Sequence, residues 1–330
     1  MGQNILLPTS YHMQNFQFTD LKPEQPDPQI EILAGLQAHP KYILPKYFYN
    51  ERGAELFVEI VQQPEYYPPD VEAKIIGSQM AEIRRAAGEQ VRIIEPGAGD
   101  CQKIRQLLKG MPEAVAYVPI EISAGMLETT ARDVARDFPL VNVHAVAADY
   151  TKPMQLPADA LEAPLQNIVF FPGSSIGNYP PARAVEILKL FRALAGNGGK
   201  LLIGVDLKKD PAVLEAAYND AAGITAAFNL NALHNTAELF GTTLPIDKFR
   251  HKAFYNEERG RIEMHLEATE QVSFTLNGHP ITLAKGETIH TESSNKYTTE
   301  EFRQLGEEAG YGHHQVFTDP EALFSVHLFS

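Results

Sequence analysis

The stretch Val91-Arg-Ile-Ile-Glu95-Pro-Gly97-Ala-Gly99-Asp100 is the part of this sequence that decides the fold. Residues 91–95 contain three β-branched apolar side chains, those of Val91, Ile93 and Ile94, which predicts a buried strand, and the two glycines that follow predict a tight turn. A helix is predicted directly afterwards, over residues 103–108. A strand, a glycine turn and a helix in succession are typical of the first unit of an open α/β sheet, in which ligands bind at the carboxyl ends of the strands.

The alternation of strands and helices continues beyond this unit. The further predicted strands and helices are 116–122, 126–134, 141–147, 167–171, 182–194 and 201–205. This spacing predicts a parallel, doubly wound α/β sheet. The segment 297–330 is expected to complete the same domain, because the capping box Thr298-Thr-Glu-Glu301 opens a helix there and two strands follow it, over 315–318 and 324–329.

The rest of the sequence predicts a second domain. The strand–helix rhythm stops after residue 208, and the elements predicted there are a helix over 212–222 and strands over 261–267 and 270–276. The expected division is an arm of residues 1–30, an α/β domain of residues 70–208 plus 297–330, and an α+β domain of residues 31–69 plus 209–296. The arm is expected to be loosely packed, because it is rich in proline, glutamine and aspartate.

The glycine turn also bears on the choice of cofactor. A dinucleotide-binding turn follows the pattern G-x-G-x-x-G, and here Gln102 stands where the third glycine would be. The full pattern belongs to folds that seat a pyrophosphate against the start of a helix. S-adenosylmethionine has no pyrophosphate, so the departure favours this cofactor. We expect Gly97 and Gly99 to let the backbone approach it closely.

Acidic and aromatic residues follow the next two predicted strands. Glu121 ends the second strand, where a carboxylate can accept hydrogen bonds from both ribose hydroxyls of an adenosine cofactor. Asp149 and Tyr150 follow the third strand; Asp149 can accept from the adenine amino group, and Tyr150 can stack beside the ring. Lys103 is a candidate partner for the methionine carboxylate of the cofactor, with a solvent-facing side chain as the alternative.

The composition argues against several classes of partner. The chain of 330 residues has 28 Lys and Arg against 42 Asp and Glu, a formal net charge of −14, and its basic residues are scattered. This disfavours nucleic acid, which requires positive patches. The single cysteine fits a reducing compartment, no segment has the apolar length of a membrane helix, and no signal peptide is recognisable. We expect a monomeric cytoplasmic protein that acts on a small molecule. We expect no metal site, because the histidines show no metal-ligand spacing.

Six further blocks of sequence lie in order from about residue 40 to the carboxyl-terminal part of the chain. They are Tyr47-Phe-Tyr49-Asn-Glu-Arg-Gly53, Pro64-Glu-Tyr66-Tyr67-Pro68, Gly173-Ser-Ser-Ile-Gly-Asn178, Ala217-Tyr218-Asn-Asp220, Arg261-Ile-Glu-Met264 and Thr291-Glu292-Ser-Ser294. Together these blocks resemble the histidine-specific Nα-methyltransferases of ergothioneine biosynthesis. The resemblance implies a Rossmann-like methyltransferase sheet, S-adenosylmethionine as cofactor and a second domain that closes over it. The cofactor loop departs from the family pattern, with Gly-Ala-Gly-Asp in place of Gly-Ser-Gly-Thr and Glu121 where Asp is usual.

The resemblance also implies roles for individual residues. Asn178 and Tyr218 match the residues that hold the carboxylate and amine of the acceptor, and Glu292 and Ser294 match those that recognise its imidazole. The other matches to positions in the acceptor pocket are Tyr49, Phe57, Tyr66, Gly173, Thr225 and Met264. The adjacent Tyr67 is the alternative to Tyr66 for the ring that points inward.

The expected reaction is Nα-methylation of L-histidine, continued to the trimethylated betaine hercynine. Methyl transfer from a sulfonium is an in-line displacement, so positioning and exclusion of water dominate catalysis, and the nucleophile must be the uncharged amine. Tyr49 is our candidate for carrying the amine proton away. Two alternatives remain open from the sequence: an Nα-methyltransferase of another amino acid such as tryptophan or tyrosine, and a non-catalytic protein that binds the cofactor.

Overall fold

The computed structural model describes residues 15–161 and 165–330. The strands are β1 (Phe16–Asp20), β2 (Lys41–Tyr42), β3 (Val91–Pro96), β4 (Ala114–Glu121), β5 (Asn142–Ala147), β6 (Gln166–Phe171), β7 (Lys200–Asp206), β8 (Phe249–Asn256), β9 (Arg261–Ala268), β10 (Val272–Leu276), β11 (His279–Leu283), β12 (Thr288–Asn295), β13 (His314–Thr318) and β14 (Phe324–Phe329). The α-helices are α1 (Pro28–Gln37), α2 (Glu51–Val61), α3 (Pro68–Ser78), α4 (Met80–Ala87), α5 (Gln102–Gly110), α6 (Ala124–Asp137), α7 (Pro181–Ala195), α8 (Pro211–Ala216), α9 (Ile224–Phe240) and α10 (Thr299–Glu308).

The larger sheet has eight strands in the order β1-β5-β4-β3-β6-β7-β14-β13. Strands β1 to β7 of this sheet pair in parallel, and β14 runs antiparallel to both β7 and β13. The chain proceeds outward from β3 to β4 and β5 on one side and through β6 and β7 on the other, so the order reverses between β3 and β6. Such a reversal opens a crevice at the carboxyl ends of the strands, which is where open α/β sheets bind ligands. The Rossmann-like fold class expected from the sequence is confirmed.

Strand β3 is buried along its whole length because helices cover both faces of the sheet. Consecutive side chains of a strand point to opposite faces, and here Ile93 packs into the core on the face of α5 and α6, whereas Ile94 packs into the core on the face of α7. The adjacent apolar residues Ile93 and Ile94, which indicated a buried strand in the sequence, are thus explained by two apolar layers, one on each side.

A second sheet has the order β2-β12-β9-β8, and a separate hairpin pairs β10 with β11. Helices α1, α2 and α9 pack with this sheet around their own apolar core, to which α9 contributes Phe228 and Leu233 and the sheet contributes Leu266 and Ile289. The two cores of the larger sheet do not include these residues. Strand β12 also contacts the segment 175–178 after β6, and this contact joins the second sheet to the first.

The expectation of a loosely packed arm over residues 1–30 is wrong for the residues that the structure describes; residues 1–14 lie outside them. Strand β1 pairs in parallel with β5 at the edge of the larger sheet, with Phe16 opposite Val143. Phe16 and Phe18 pack against the core and alternate with polar residues, which is the pattern of a half-buried edge strand. Residue 28 already begins α1, where the Asp27 side chain accepts from the Gln29 N–H at 2.8 Å. The high proline and polar content concealed both elements.

The helix predicted over residues 212–222 is also wrong in part, because α8 ends at Ala216 and a 17-residue helix, α9, follows it. Asp220 lies before the start of the new helix and caps it: its carboxylate accepts the N–H groups of Ile224 at 2.8 Å and Thr225 at 2.7 Å. Sequence periodicity missed α9 because its buried face carries polar residues. Asn231 and Asn235 are buried there and donate to backbone carbonyls of the segment 47–48.

Candidate active site

The glycine turn after β3 has the conformation that the sequence predicted. Gly97 and Gly99 have φ values of 68° and 53°, in the left-handed region that favours glycine. The Gly97 N–H donates to the Ile120 carbonyl at 2.8 Å, which fixes the turn against β4. A Cβ on Gly99 would meet no atom within 4 Å, whereas one on Gly97 would come within 3.1 Å of the Tyr150 ring. The turn therefore leaves open space above Gly99 in which a ligand can approach the backbone.

Glu121 closes one side of this space at the end of β4. Its two carboxylate oxygens accept from the Gly99 N–H at 3.2 Å and the Ile122 N–H at 2.8 Å. A carboxylate has about four lone-pair sites, so this fixed group retains acceptors for a diol such as a ribose. The glycine turn and Glu121 thus meet at one edge of the sheet, and together they fit the adenosine part of a cofactor.

Asp149 and Tyr150 follow β5 at the same edge. Asp149 accepts from the Thr151 N–H at 3.0 Å and the Thr151 hydroxyl at 2.6 Å. Burial tends to raise the pKa of Asp149, but these hydrogen bonds and Lys152 outweigh it and lower the pKa, so the group is ionised. The Tyr150 hydroxyl lies 3.0 Å from the Tyr179 hydroxyl, and its ring lies beside Phe171.

A cavity of about 120 Å³ lies between the two sheets, and every residue that the sequence predicted for the acceptor lines it. Those residues are Tyr49, Phe57, Tyr66, Gly173, Asn178, Tyr218, Thr225, Met264, Glu292 and Ser294. They come from segments far apart in the chain, including α2, the loop after β6, α9, β9 and β12. The cavity also has lining residues for which the sequence predicted no role at the acceptor: Ile60, Pro68, Ser174, Ser175, Asp206, Ala217, Phe228 and Lys296.

A β-bulge aims Glu292 into this cavity. His290 pairs with His265 across β12 and β9, but the next paired residue is Glu292, opposite Met264, so Thr291 is an extra residue. Regular alternation from His290 would have put Glu292 on the outer face, away from Met264. The Thr291 hydroxyl stabilises the bulge, lying 2.7 Å from Asn229 Oδ1 and 3.0 Å from the Met264 carbonyl.

The Glu292 carboxylate has no side-chain hydrogen-bond donor among the described residues. Burial raises its pKa to about 7, an effect that the charge of Lys296 reduces. The hydroxyl of Thr225, in the same cavity, is buried and also lacks a hydrogen-bond partner among the described residues. A buried carboxylate without a donor is costly, so this end of the cavity is suited to a ligand that supplies an N–H group.

Residues 28–330 match the family described as "Histidine-specific methyltransferase, SAM-dependent". The chain belongs to this family. Its dependence on S-adenosylmethionine, inferred above from the turn without a third glycine, is confirmed by the family.

Individual relatives agree with the family match. Over 304 residues the chain is 35% identical to the protein named Histidine N-alpha-methyltransferase of Mycolicibacterium smegmatis, covering 90% of this chain and 93% of the relative. A match at 34% identity to Ergothioneine biosynthesis protein 1 of Neurospora crassa covers 79% of this chain and 30% of that longer protein. Among solved structures, an S-adenosylmethionine-dependent methyltransferase from Clostridium acetobutylicum superposes with a TM-score of 0.43 at 8% identity, over 84% of this chain and 98% of the other.

Lys103 lies between the cofactor turn and the acceptor cavity of this methyltransferase. It belongs to the first turn of α5, and its ammonium group lies 3.5 Å from a carboxylate oxygen of Glu72 and directly over Gly173. Glu72 in turn accepts from the Gly173 N–H at 2.8 Å. Gly173 has a φ of 81°, which strains any other residue, and a Cβ there would displace the flexible end of the Lys103 side chain. The glycine is therefore required for its backbone conformation, and it also lets the Lys103 ammonium lie close to the backbone.

Of the two adjacent tyrosines, Tyr66 lines the cavity, with its ring 6.4 Å from that of Tyr218. Tyr67 contacts a different group. Its hydroxyl donates to the Asp206 carboxylate at 2.8 Å and accepts from Lys209 at 2.5 Å. The two side chains diverge because α3 begins at the prolines that follow, so successive residues leave the turn in different directions.

Asp206 and Lys296 are the two charged residues among the cavity-lining residues for which the sequence predicted no role. Asp206 ends β7 at the carboxyl edge of the sheet and is ion-paired with Lys296 at 2.7 Å and Lys209 at 2.6 Å. Burial would raise the pKa of Asp206, but the two ammonium groups outweigh it and lower the pKa. The position of Asp206 at a strand end was a usable signal; Lys296 follows the Thr291–Ser294 block and carried no motif of its own.

A group of possible metal ligands lies outside the cavity, although the sequence predicted no metal site. Glu263, His265 and His290 each offer a ligand atom, and these atoms lie within 4.8 Å of one another on the outer face of the second sheet. The Glu263 carboxylate is already paired with Arg261 at 2.8 Å and with His265 at 3.0 Å. The spacing of the histidines in the sequence did not indicate this cluster, because the pairing of β9 with β12 brings its members together.

Among the described residues, no helix combines the length and apolar character needed to span a membrane.

Proposed function

We propose that this protein transfers the methyl group of S-adenosylmethionine to the α-amino nitrogen of L-histidine, and repeats the transfer until the trimethylated betaine, hercynine, is formed in ergothioneine biosynthesis. The observation that carries the proposal is that Glu292 and Ser294 line the same cavity as Asn178 and Tyr218. A carboxylate without a donor is matched by an imidazole N–H, and the cavity adjoins the cofactor turn through Lys103 and Gly173.

In this proposal the two ends of histidine are bound by different elements. Asn178, at the end of the turn Ser175–Asn178, and Tyr218, after α8, bind the carboxylate and amine. Glu292 accepts the ring N–H, and Ser294 binds the second ring nitrogen. The remaining predicted residues form walls around the ligand: Phe57, Tyr66, Gly173, Thr225 and Met264. A ligand without the ring N–H would leave Glu292 unpaired, and buried polar groups of this kind are a strong source of discrimination.

The cofactor residues of the proposal are those at the carboxyl edge of the larger sheet. They are Gly97, Gly99, Lys103, Glu121, Asp149 and Tyr150. S-adenosylmethionine, when bound, supplies an electrophilic methyl group and a positive charge. Glu121 orients the ribose, and Lys103, held by Glu72, is placed to pair with the methionine carboxylate. The protein contributes alignment of the amine with the methyl group and removal of water, which can supply much of the acceleration of a displacement reaction.

The acceptor amine must lose a proton before transfer, and Tyr49 is the group we propose to carry it away. Tyr49 lies at the mouth of the cavity with about half of its surface exposed, so it contacts both the cavity and solvent. Burial raises the pKa of Tyr49, and the charge of Glu292 adds to this; burial raises the pKa of Tyr66 and Tyr218 as well, so all three phenols stay neutral. Tyr49 differs from the other two in its exposure, which lets a neutral phenol relay the amine proton to solvent rather than hold it as a base.

An aromatic wall lines the cavity beside Tyr49. The rings of Phe57 and Phe228 lie 5.8 Å and 5.4 Å from the ring of Tyr49, in edge-to-face arrangements. Each methylation makes the amine bulkier, and the third leaves a permanent ammonium charge without an N–H donor. Aromatic faces attract such a cation without needing a hydrogen bond. This wall supports the proposal that methylation continues to the betaine.

The domain division expected from the sequence, with β1 now added to the α/β part, belongs to the proposal. The cofactor would be bound by residues 70–208 plus 297–330, and the acceptor largely by residues 31–69 plus 209–296. We further propose that the protein acts in the cytoplasm as a monomer on a small molecule and not on nucleic acid. The net charge of −14 and the single buried cysteine support this.

The test is mass spectrometry of small molecules after incubation of the protein with methyl-labelled S-adenosylmethionine and a panel of amino acids. We expect labelled mono-, di- and trimethylated histidine, with little label on tryptophan or tyrosine. Label on tryptophan or tyrosine in preference to histidine would replace the proposed acceptor. No labelled amino acid at saturating substrates would instead support a non-catalytic cofactor-binding protein.

A further inference from the structure

Lys296 is a fully buried ammonium group at the base of the acceptor cavity, and its side chain is 1% exposed. It lies 2.7 Å from an Asp206 carboxylate oxygen, 2.7 Å from the Ser294 hydroxyl oxygen and 3.2 Å from the Tyr218 hydroxyl oxygen. An ammonium group has three protons and no lone pair. These three contacts therefore account for every hydrogen bond that Lys296 can donate.

The direction of these hydrogen bonds has a consequence for the two hydroxyl groups. Because Lys296 can only donate, the oxygens of Ser294 and Tyr218 act as acceptors towards it. Each hydroxyl has a single proton, which is then left for another acceptor. Both residues line the acceptor cavity, and the two hydroxyls also interact with each other, so the Ser294 proton is available either to Tyr218 or to a bound ligand.

The charge of Lys296 is fixed by its surroundings. Burial alone would lower the pKa of this ammonium group, but Asp206 and Tyr218 outweigh burial and hold the pKa above its ordinary value. Tyr218 remains a neutral phenol, because burial raises its pKa. The group thus cannot release a proton at neutral pH and become an acceptor, so the donor character of both hydroxyls persists.

We propose that Lys296 is a positioning residue that makes Ser294 a hydrogen-bond donor, so that the pocket with Glu292 as acceptor selects a neutral imidazole in one tautomer. The inference rests on histidine being the acceptor, as proposed above. Glu292 accepts the single ring N–H, and the Ser294 O–H donates to the lone pair of the other ring nitrogen. An imidazolium, which has two N–H donors, could bond to Ser294 only through the remaining lone pair of that oxygen, with the Ser294 proton turned away from the ring.

The structure offers a matched control for the charge of Lys296. Lys209 is also buried and also pairs with Asp206, at 2.6 Å, but its remaining contact is the Tyr67 hydroxyl. It touches neither Ser294 nor Tyr218, and it does not line the cavity. Lys209→Met therefore removes an ion pair to the same carboxylate and leaves the hydrogen-bond direction in the pocket unchanged.

The experiment measures histidine binding by calorimetry in the presence of S-adenosylhomocysteine, for wild type, Lys296→Met and Lys209→Met. We expect Lys296→Met to weaken histidine binding by about tenfold, the upper size of one lost neutral hydrogen bond between Ser294 and the ring. We expect Lys209→Met to stay within about threefold of wild type. Equal losses in the two variants would overturn the proposal, because they would trace the effect to the Asp206 ion pairs.

A second measurement separates a positioning role from a structural one. The two pyrrolylalanines each keep one ring N–H and lack the second nitrogen, so they cannot accept from Ser294. Wild type should prefer histidine to the better-binding pyrrolylalanine, and Lys296→Met should reduce that preference. A preference that is unchanged in Lys296→Met would overturn the proposal.

Ser294→Ala tests the donor on which the inference rests if Lys296→Met does not fold, because it removes the Ser294 hydroxyl and leaves both ion pairs of Asp206 in place. It should reduce the preference for histidine over pyrrolylalanine, and an unchanged preference would overturn the inference. Turnover of histidine by wild type is measured alongside. Its absence would refute the proposed function, whereas normal turnover with an unchanged preference refutes only the role of Lys296.

Discussion

Glu292 lies opposite Met264 across strands β12 and β9, although it is separated by only one residue from His290, which faces the other side of the sheet. The extra residue Thr291 makes this possible, because a bulge shifts the alternation by one. The acidic end of the acceptor cavity therefore depends on an irregularity in a strand. Bulges often re-aim a side chain beside an active site, and here the re-aimed group is the one expected to recognise the imidazole.

Replacement of Glu292 by glutamine should reduce histidine affinity severely, by about a hundredfold, while S-adenosylhomocysteine affinity stays nearly unchanged. The amide keeps the shape of the side chain, but it replaces a charged acceptor and weakens the hydrogen bond to the ring N–H. Calorimetric titration with each ligand measures both affinities. Equal weakening of the two would assign Glu292 a structural role instead.

The same substitution should stabilise the unliganded protein at alkaline pH. The pKa of Glu292 is raised from 4.5 to about 7, so the folded state binds a proton that the unfolded state has released between these values. Its contribution to the free energy of unfolding is therefore lost as pH rises through 7, by up to about 3 kcal/mol. Glu292→Gln should raise the unfolding temperature more at pH 8 than at pH 5. An identical shift at both pH values would contradict the raised pKa.

Asn178→Ala should impair every α-amino-acid acceptor to a similar degree. Asn178 is proposed to contact the backbone end of the acceptor, which all amino acids share, so its loss cannot change the preference between side chains. Steady-state kinetics with histidine and a poorer acceptor would measure the two losses. We expect kcat/KM to fall at least tenfold for both; unchanged turnover would remove Asn178 from the site.

Glu121→Gln should weaken cofactor binding by about tenfold. Both carboxylate oxygens accept backbone N–H groups, from Gly99 and Ile122, so an amide nitrogen in either place would face a second donor. Fluorescence or calorimetric titration with S-adenosylhomocysteine measures the effect. Glu128→Gln is the control, because Glu128 is exposed on α6 and pairs only with Arg132; equal losses in both variants would contradict a direct role for Glu121.

The larger sheet could be predicted from the sequence because its strands obey simple patterns. Residues 91–95 place the apolar side chains of Ile93 and Ile94 on opposite faces, and helices with one apolar stripe separate the strands. The glycine turn and Glu121 were recognisable because the carboxyl ends of parallel strands meet at one edge. The acceptor residues were found by resemblance; Met264 or Glu292 alone would have been read as a core residue and a solvated acid.

Other features could not be predicted because they depend on contacts between distant segments. Helix α9 presents buried asparagines to the backbone of the segment 47–48, so its inward face is not apolar. The bulge at Thr291 is stabilised by Asn229 on that same helix. The role proposed for Lys296 depends on its ion pair with Asp206, which the end of β7 brings next to it. In each case the decisive partner lies far away in the sequence.

Asn295 ends the strand that carries Glu292 and Ser294, and its side-chain amide donates to the carbonyls of Gly177 at 2.7 Å and Tyr179 at 2.9 Å. Those carbonyls flank Asn178, so one amide ties the strand proposed to bind the ring to the loop proposed to bind the amine. Direct hydrogen bonds thus fix the separation of the two ends of the cavity. In the proposed complex, an amino acid with one more methylene would displace its nitrogen by about 1.5 Å, so we expect the cavity to select its substrate by length as well as by the chemistry of the ring.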